Sequence, residues 1–89
     1  MTNINRQDIE KQLTSEIALI TRQSADAIEP GTSLHTLGID SMGFVEVLVF
    51  IEKQYGLKLI ETGMTREDFE TISSLAECIE RELKQSDIS

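Results

Sequence analysis

The sequence predicts an all-α fold: a small bundle of three long helices and one short one, with a long first connection. Three observations predict it. Apolar residues return at helical spacing in three separate stretches of the chain. Aromatic residues make up only 4% against 39% hydrophobic residues, so the core must be aliphatic, which suits packed helices. The chain has 89 residues, near the size at which one core is only just sufficient, so residues 1–89 read as a single domain. There are no repeats and no low-complexity tracts.

Asn5 is placed to cap a first helix reaching about Gln23, with Asp8 and Glu10 near its positive end. Ile9, Leu13, Ile17 and Ile20 fall on one face of it. Residues 24–40 read as a long loop punctuated by Ser24-Ala25-Asp26, by Glu29-Pro30-Gly31-Thr32-Ser33 and by Gly38. Ile28, Leu34, Leu37 and Ile39 are too apolar for a solvated linker, so this loop is expected to pack across the bundle. Its length points to a function.

A second long helix runs from about Ser41 to Tyr55, with Gly56 as its stop. Phe44, Val47, Leu48, Ile51 and Tyr55 form its core side. Met42, Val45 and Val49 form a second apolar stripe rotated away from that side, bordered by Glu46, Glu52 and Lys53. A doubly apolar helix is either widely buried or carries a docking surface. The stripe begins one residue after Ser41, which favours docking.

Leu57-Lys58-Leu59-Ile60 reads as an extended connector ending at Glu61-Thr62-Gly63. Thr65-Arg66-Glu67-Asp68-Phe69 reads as a short turn of helix, with Thr65 as cap and Asp68 as its acidic partner three residues on. The last helix starts at Thr71 or Ser73 and keeps Ile72, Leu75, Ala76, Ile79 and Leu83 in register. Cys78 lies beside that stripe as a semi-buried hydrophobe. Residues 1–4 and 85–89 are expected to fray.

The formal net charge is −8, which argues against nucleic acid or an anionic membrane and favours partners with basic surfaces. One cysteine allows neither an intrachain disulfide nor a cysteine metal cluster. The N-terminal residues lack the basic and apolar regions of a leader, and no apolar run is long enough to span a bilayer. A cytoplasmic monomer without membrane insertion is the expectation.

The candidate site is Leu34-x-x-Leu37-Gly38-Ile39-Asp40-Ser41-Met42. A glycine turn delivers an Asp-Ser pair to a helix start, where unpaired N–H groups and the positive dipole end suit a phosphate on the hydroxyl better than an attacking alkoxide. This segment, continued through Glu46, resembles the prosthetic-group site of acyl and peptidyl carrier proteins, and the resemblance extends over nearly the whole chain.

The resemblance implies a four-helix bundle with the prosthetic serine at the start of the second helix. It implies 4′-phosphopantetheine attached to Ser41, moved there from coenzyme A by a separate Mg²⁺-dependent phosphopantetheinyl transferase. Asp40 would cap the helix and belong to the surface that the transferase reads, with no metal site in the carrier itself. Acyl or aminoacyl groups, loaded by a ligase or transferase, would be held as thioesters and presented to synthase-type enzymes of fatty-acid, polyketide or related biosynthesis. Met42, Val45, Glu46, Val49 and Glu52 would be the docking residues, meeting basic surfaces. The carrier would not itself be an enzyme. Gly43 two residues after the serine, Met42 in place of leucine and Lys53 among the acids depart from general fatty-acid carriers. Residues 65–72 look more like discrete carriers of dedicated pathways.

Other classes fit less well. Gly38-Ile39-Asp40-Ser41-Met42-Gly43 has the wrong glycine spacing for a hydrolase nucleophile elbow, and no strand precedes the serine. His35 alone makes no catalytic triad and reads as a partly exposed loop residue. No calcium-loop pattern exists. The remaining alternative is an acidic helical adaptor, with Ser41 as a plain N-cap and the stripe binding a partner helix.

Overall fold

The structure, a computed structural model, describes residues 5–62 and 65–86. The helix α1 spans Arg6–Thr21, opened by Asn5, whose side chain accepts the Asp8 N–H at 2.9 Å. Asp8 lies in the first turn, while Glu10 falls just beyond it. The predicted face is buried through Ile9, Leu13 and Ile17, with Ile20 partly so. The helix stops two residues before Gln23, because Arg22 turns left-handed at φ 58°. The Gln23 N–H then donates back to the Ala18 carbonyl at 3.0 Å.

Residues 24–40 pack across the bundle as expected, with Ile28, Leu34 and Ile39 buried. They are more ordered than a loop reading allows. A 3₁₀ turn forms at Ala25–Ala27 and a one-turn helix, α2, at Leu34–Leu37. Four residues are too few to display a helical period, so α2 left no periodic trace. Its cap is local, with the Thr36 N–H donating to Ser33 Oγ at 3.1 Å. Backbone bonds tie this segment to the start of the last helix: Leu34 N–H to the Glu70 carbonyl at 2.9 Å, and Ser73 N–H to the Pro30 carbonyl at 3.0 Å.

The helix α3 spans Ser41–Tyr55 and ends as predicted at Gly56, left-handed at φ 72° with its N–H on the Glu52 carbonyl at 2.8 Å. Val47 and Ile51 are fully buried, with Phe44, Leu48 and Tyr55 packed at the margin. The connector expected to be extended contains a 3₁₀ turn, Leu59–Thr62, with Leu57 and Leu59 buried. Gly63 of the expected turn lies outside the described residues. The short helix is itself 3₁₀, Arg66–Phe69, and the Thr65–Asp68 pairing holds its start: Thr65 N–H and hydroxyl both donate to Asp68 Oδ2, at 3.0 and 3.2 Å.

The helix α4 spans Ile72–Ser86. Thr71, rather than Ser73, opens it. The Ser74 N–H donates to Thr71 Oγ1 and the Thr71 N–H to Ser74 Oγ, each at 3.0 Å. Residues 85–86, expected to fray, continue the helix, while residues 1–4 and 87–89 lie outside the described residues. Ile72, Leu75, Ala76 and Ile79 are buried. So is Cys78, only 1% exposed, which corrects the semi-buried reading: α4 packs on α1 and the 66–69 turn together, so its buried arc is wider than one stripe. Each fully buried Ile or Leu contributes about 1.5–3 kcal/mol, and they span every long helix. Among the described residues there are no strands, only an isolated bridge between Ser33 and Thr71, so the fold is the expected all-α bundle.

Candidate functional site

The segment singled out in the sequence is a helix stop joined directly to a helix start. Gly38, left-handed at φ 100°, closes α2 by donating to the His35 carbonyl at 3.0 Å, and the Ile39 N–H reaches the Leu34 carbonyl at 3.0 Å. This double bond pattern needs a residue at positive φ, which is the glycine's role. The apolar residues at its two ends, Leu34 and Ile39, are both buried. Gln23 braces the turn from α1, its amide donating to the Leu37 carbonyl at 2.7 Å and to Thr21 Oγ1 at 2.9 Å.

Asp40 then caps α3. Its backbone is extended, and Oδ1 accepts the Gly43 N–H at 2.8 Å, while the Phe44 N–H begins the helical ladder on the Asp40 carbonyl at 2.8 Å. Ser41 is therefore the first helical residue and not the cap, so its hydroxyl is not consumed in holding the helix. It is exposed. The Ser41 and Met42 N–H groups have no carbonyl one turn earlier within the helix, and they add to the positive dipole end. An exposed hydroxyl at a capped helix start fits a phosphodiester.

Beside Ser41 lies an open depression of about 630 Å³, lined by Leu34, His35, Ile39, Phe44 and Phe69 among others. The Phe44 and Phe69 rings meet edge to face, with centroids 4.7 Å apart, joining α3 to the 66–69 turn at the floor of the site. His35 is exposed there and, among the described residues, makes no hydrogen bond to Ser41.

The second stripe of α3 is exposed: Met42 by 78%, Val45 by 56% and Val49 by 43%. A groove of about 380 Å³ runs along one side of it, lined by Val45, Leu48, Val49, Glu52 and Leu59 among others. A second, of about 340 Å³, runs along the α1 side and includes Glu16, Glu46, Phe50 and Lys53. The sequence reading missed Leu19 on α1, which is 75% exposed. The available signal was its position about 100° round the helix from Ile20, off the core face.

A domain of this all-α build, with a capped helix presenting an exposed serine, is of the carrier type. The chain belongs to the phosphopantetheine attachment site family, which matches residues 11–79. Members hold 4′-phosphopantetheine covalently, so the chain is a carrier rather than an enzyme. Such a carrier works with a phosphopantetheinyl transferase and with synthase-type enzymes. The adaptor alternative, which lacks a prosthetic group, does not fit this membership. No curated protein and no solved structure matches the chain. Among the described residues, no helix is long and apolar enough to cross a membrane, and no group of acidic, histidine or cysteine side chains could hold a metal.

Proposed function

We propose that Ser41 is the attachment point and that residues 1–89 act as a discrete, monomeric carrier domain of a dedicated pathway in fatty-acid, polyketide or related biosynthesis. The observation that carries this is the exposed Ser41 hydroxyl at the first position of α3, with Asp40 beside it already engaged as the cap. In the transfer, the Ser41 oxygen bonds to the pantetheine phosphorus of coenzyme A. The pyrophosphate linkage breaks, the bisphosphorylated adenosine leaves, and the serine proton passes to a base of the transferase. The attached group supplies a terminal thiol on which acyl or aminoacyl groups are held as thioesters.

Met42, Val45 and Val49 form the apolar centre of the docking face, and Glu46 and Glu52 its acidic rim, for a ligase or synthase with a basic surface. Asp40 serves loading by holding the helix start and by adding charge to that rim. A cytoplasmic location belongs to this reading, because loading draws on coenzyme A. Mass spectrometry after incubation with coenzyme A and a phosphopantetheinyl transferase tests the assignment. Wild type is expected to gain one phosphopantetheinyl mass that peptide mapping assigns to Ser41. Modification at any other residue overturns it.

A further inference from the structure

Among the described residues, four large hydrophobic side chains stand exposed: Leu19, Met42, Val45 and Val49. One exposed leucine on its own needs no explanation. These four are not scattered, however. Glu16, one turn before Leu19 on the same side of α1, lines the groove shared with Val45, Glu46 and Val49. At the next level, the α1 residue after Leu19 lies against the first turn of α3: a Cβ on Gly43 would sit 3.5 Å from Ile20 Cγ2. Leu19 is thus carried on α1 next to the residue that packs on the first turn of α3, and Glu16 and Glu46 line the groove between the two helices.

We infer that Leu19 is a specificity-determining contact for the phosphopantetheinyl transferase, gripped together with Met42 by an apolar surface set among basic side chains. This rests on the reading of Ser41 as the attachment point. Before loading there is no flexible arm, so the Ser41 hydroxyl itself must enter the transferase active site, and the enzyme must close on the surface around it. Enzymes acting later reach the cargo through the arm and can dock farther along α3. The two most exposed apolar side chains, Leu19 and Met42, lie on the α1 and α3 turns that meet, through Ile20 and Gly43, at the Ser41 end of α3. Lys53, the basic residue lining that groove, lies three turns along α3 from it. Glu16 and Glu46 outnumber Lys53 in that groove, which makes it acidic and complementary to a basic partner.

The test measures kcat/KM for modification of the unloaded protein with coenzyme A and a phosphopantetheinyl transferase, using wild type, Leu19→Ser, Leu19→Arg, Leu19→Met and Met42→Ser. Leu19→Ser is expected to lower kcat/KM about tenfold, mainly through KM, as for lost docking contact. Leu19→Arg should lower it further against a basic partner, and Leu19→Met should restore it. Melting temperatures should match wild type throughout, since the side chain is 75% exposed. Wild-type kinetics for Leu19→Ser and Leu19→Arg, with Met42→Ser slowed, would overturn the Leu19 contact and leave the docking face standing. Wild type that gains no phosphopantetheinyl mass would instead overturn the Ser41 reading itself.

Discussion

Asp40 Oδ1 accepts the Gly43 N–H at 2.8 Å, and a Cβ on Gly43 would stand 3.3 Å from that same oxygen. The glycine leaves room for the carboxylate that starts α3, with Ile20 and Ile39 closing the space behind it at 3.5 Å each. The cap is therefore a stability device as well as a neighbour of Ser41. Asp40→Ala should destabilise the fold by about 1 kcal/mol, lowering the melting temperature by roughly 4–8 °C for a domain of this size. Asp40→Asn keeps an oxygen for the Gly43 N–H and should melt near wild type. An equal lowering in both variants, read by circular dichroism, would show that the carboxylate's charge, not its capping bond, is what matters, and wild-type melting of Asp40→Ala would show that the cap does not hold the fold.

Ser41 is the first residue of α3 and Asp40 does the capping, so the serine hydroxyl is free of that structural task. Ser41→Ala should change stability by no more than about 0.5 kcal/mol, as for an ordinary surface position. Incubation with coenzyme A and transferase should leave the variant unmodified. A phosphopantetheinyl mass on it would assign the prosthetic group elsewhere.

Much of the bundle was legible because long helices repeat their apolar residues: Ile9, Leu13 and Ile17, then Val47 and Ile51, then Ile72, Leu75 and Ile79 are all buried where the period put them. Boundaries set by capping chemistry were legible too, at Asn5, Asp40, Gly56 and Thr65. The one-turn α2 and the 3₁₀ turns were not, since segments of three or four residues have no period to read. Burial of Cys78 depends on how α4 sits against α1 and the 66–69 turn, which a single helix wheel does not contain. Gly43, legible only as a missing acidic residue, acquires its reason from the Asp40 carboxylate above it.

Charge balance gives a salt dependence with a definite sign. Sixteen acidic residues face eight basic ones. Among the described residues the ion pairs are Arg6–Glu77 at 3.4 Å, Arg81–Asp68 at 3.8 Å and Lys58–Glu52 at 4.0 Å, all partly or wholly exposed. Such pairs contribute about 0–1 kcal/mol each, so repulsion among the surplus acids is expected to dominate. Raising ionic strength from about 0.01 to 0.15 M shortens the screening length from about 30 to 8 Å. The melting temperature should rise by a few degrees. A flat or falling value would mean that the acids are already balanced locally.

Cys78 should be inert in the folded chain and should make stability fall at high pH. Burial pushes its thiol above the ordinary value of 9.0, with Asp68 adding to the shift and Arg81 opposing it. Above that ordinary value the unfolded chain has lost the thiol proton while the folded chain still holds it. The stabilisation is complete below about pH 9 and is lost as pH climbs through the folded value. Tyr55, raised above 10.0 by burial and by Asp8, acts in the same direction at higher pH. Denaturant melts from pH 7 to 10 should show the decline, and Cys78→Ala should flatten its first part. Iodoacetamide should label Cys78 only after unfolding, and prompt labelling of the native protein would contradict its burial.

The docking face makes the sharpest division between stability and function. Val45 is 56% exposed between two grooves, so a carboxylate at this position stays hydrated and costs the fold little. For a partner it would put a charge at the apolar centre of the contact, where truncations and mismatches are felt most. Val45→Asp should therefore melt within a degree or two of wild type while transfer to a cognate enzyme falls at least tenfold. Glu46→Lys alters the rim instead, so it should slow association, most strongly at low salt, and the difference should narrow as salt is added. Circular dichroism melts run beside transfer assays at two salt concentrations separate these effects. If Val45→Asp unfolds, the stripe belongs to the core. If it keeps both its melting temperature and its transfer rate, Val45 lies outside the partner's footprint.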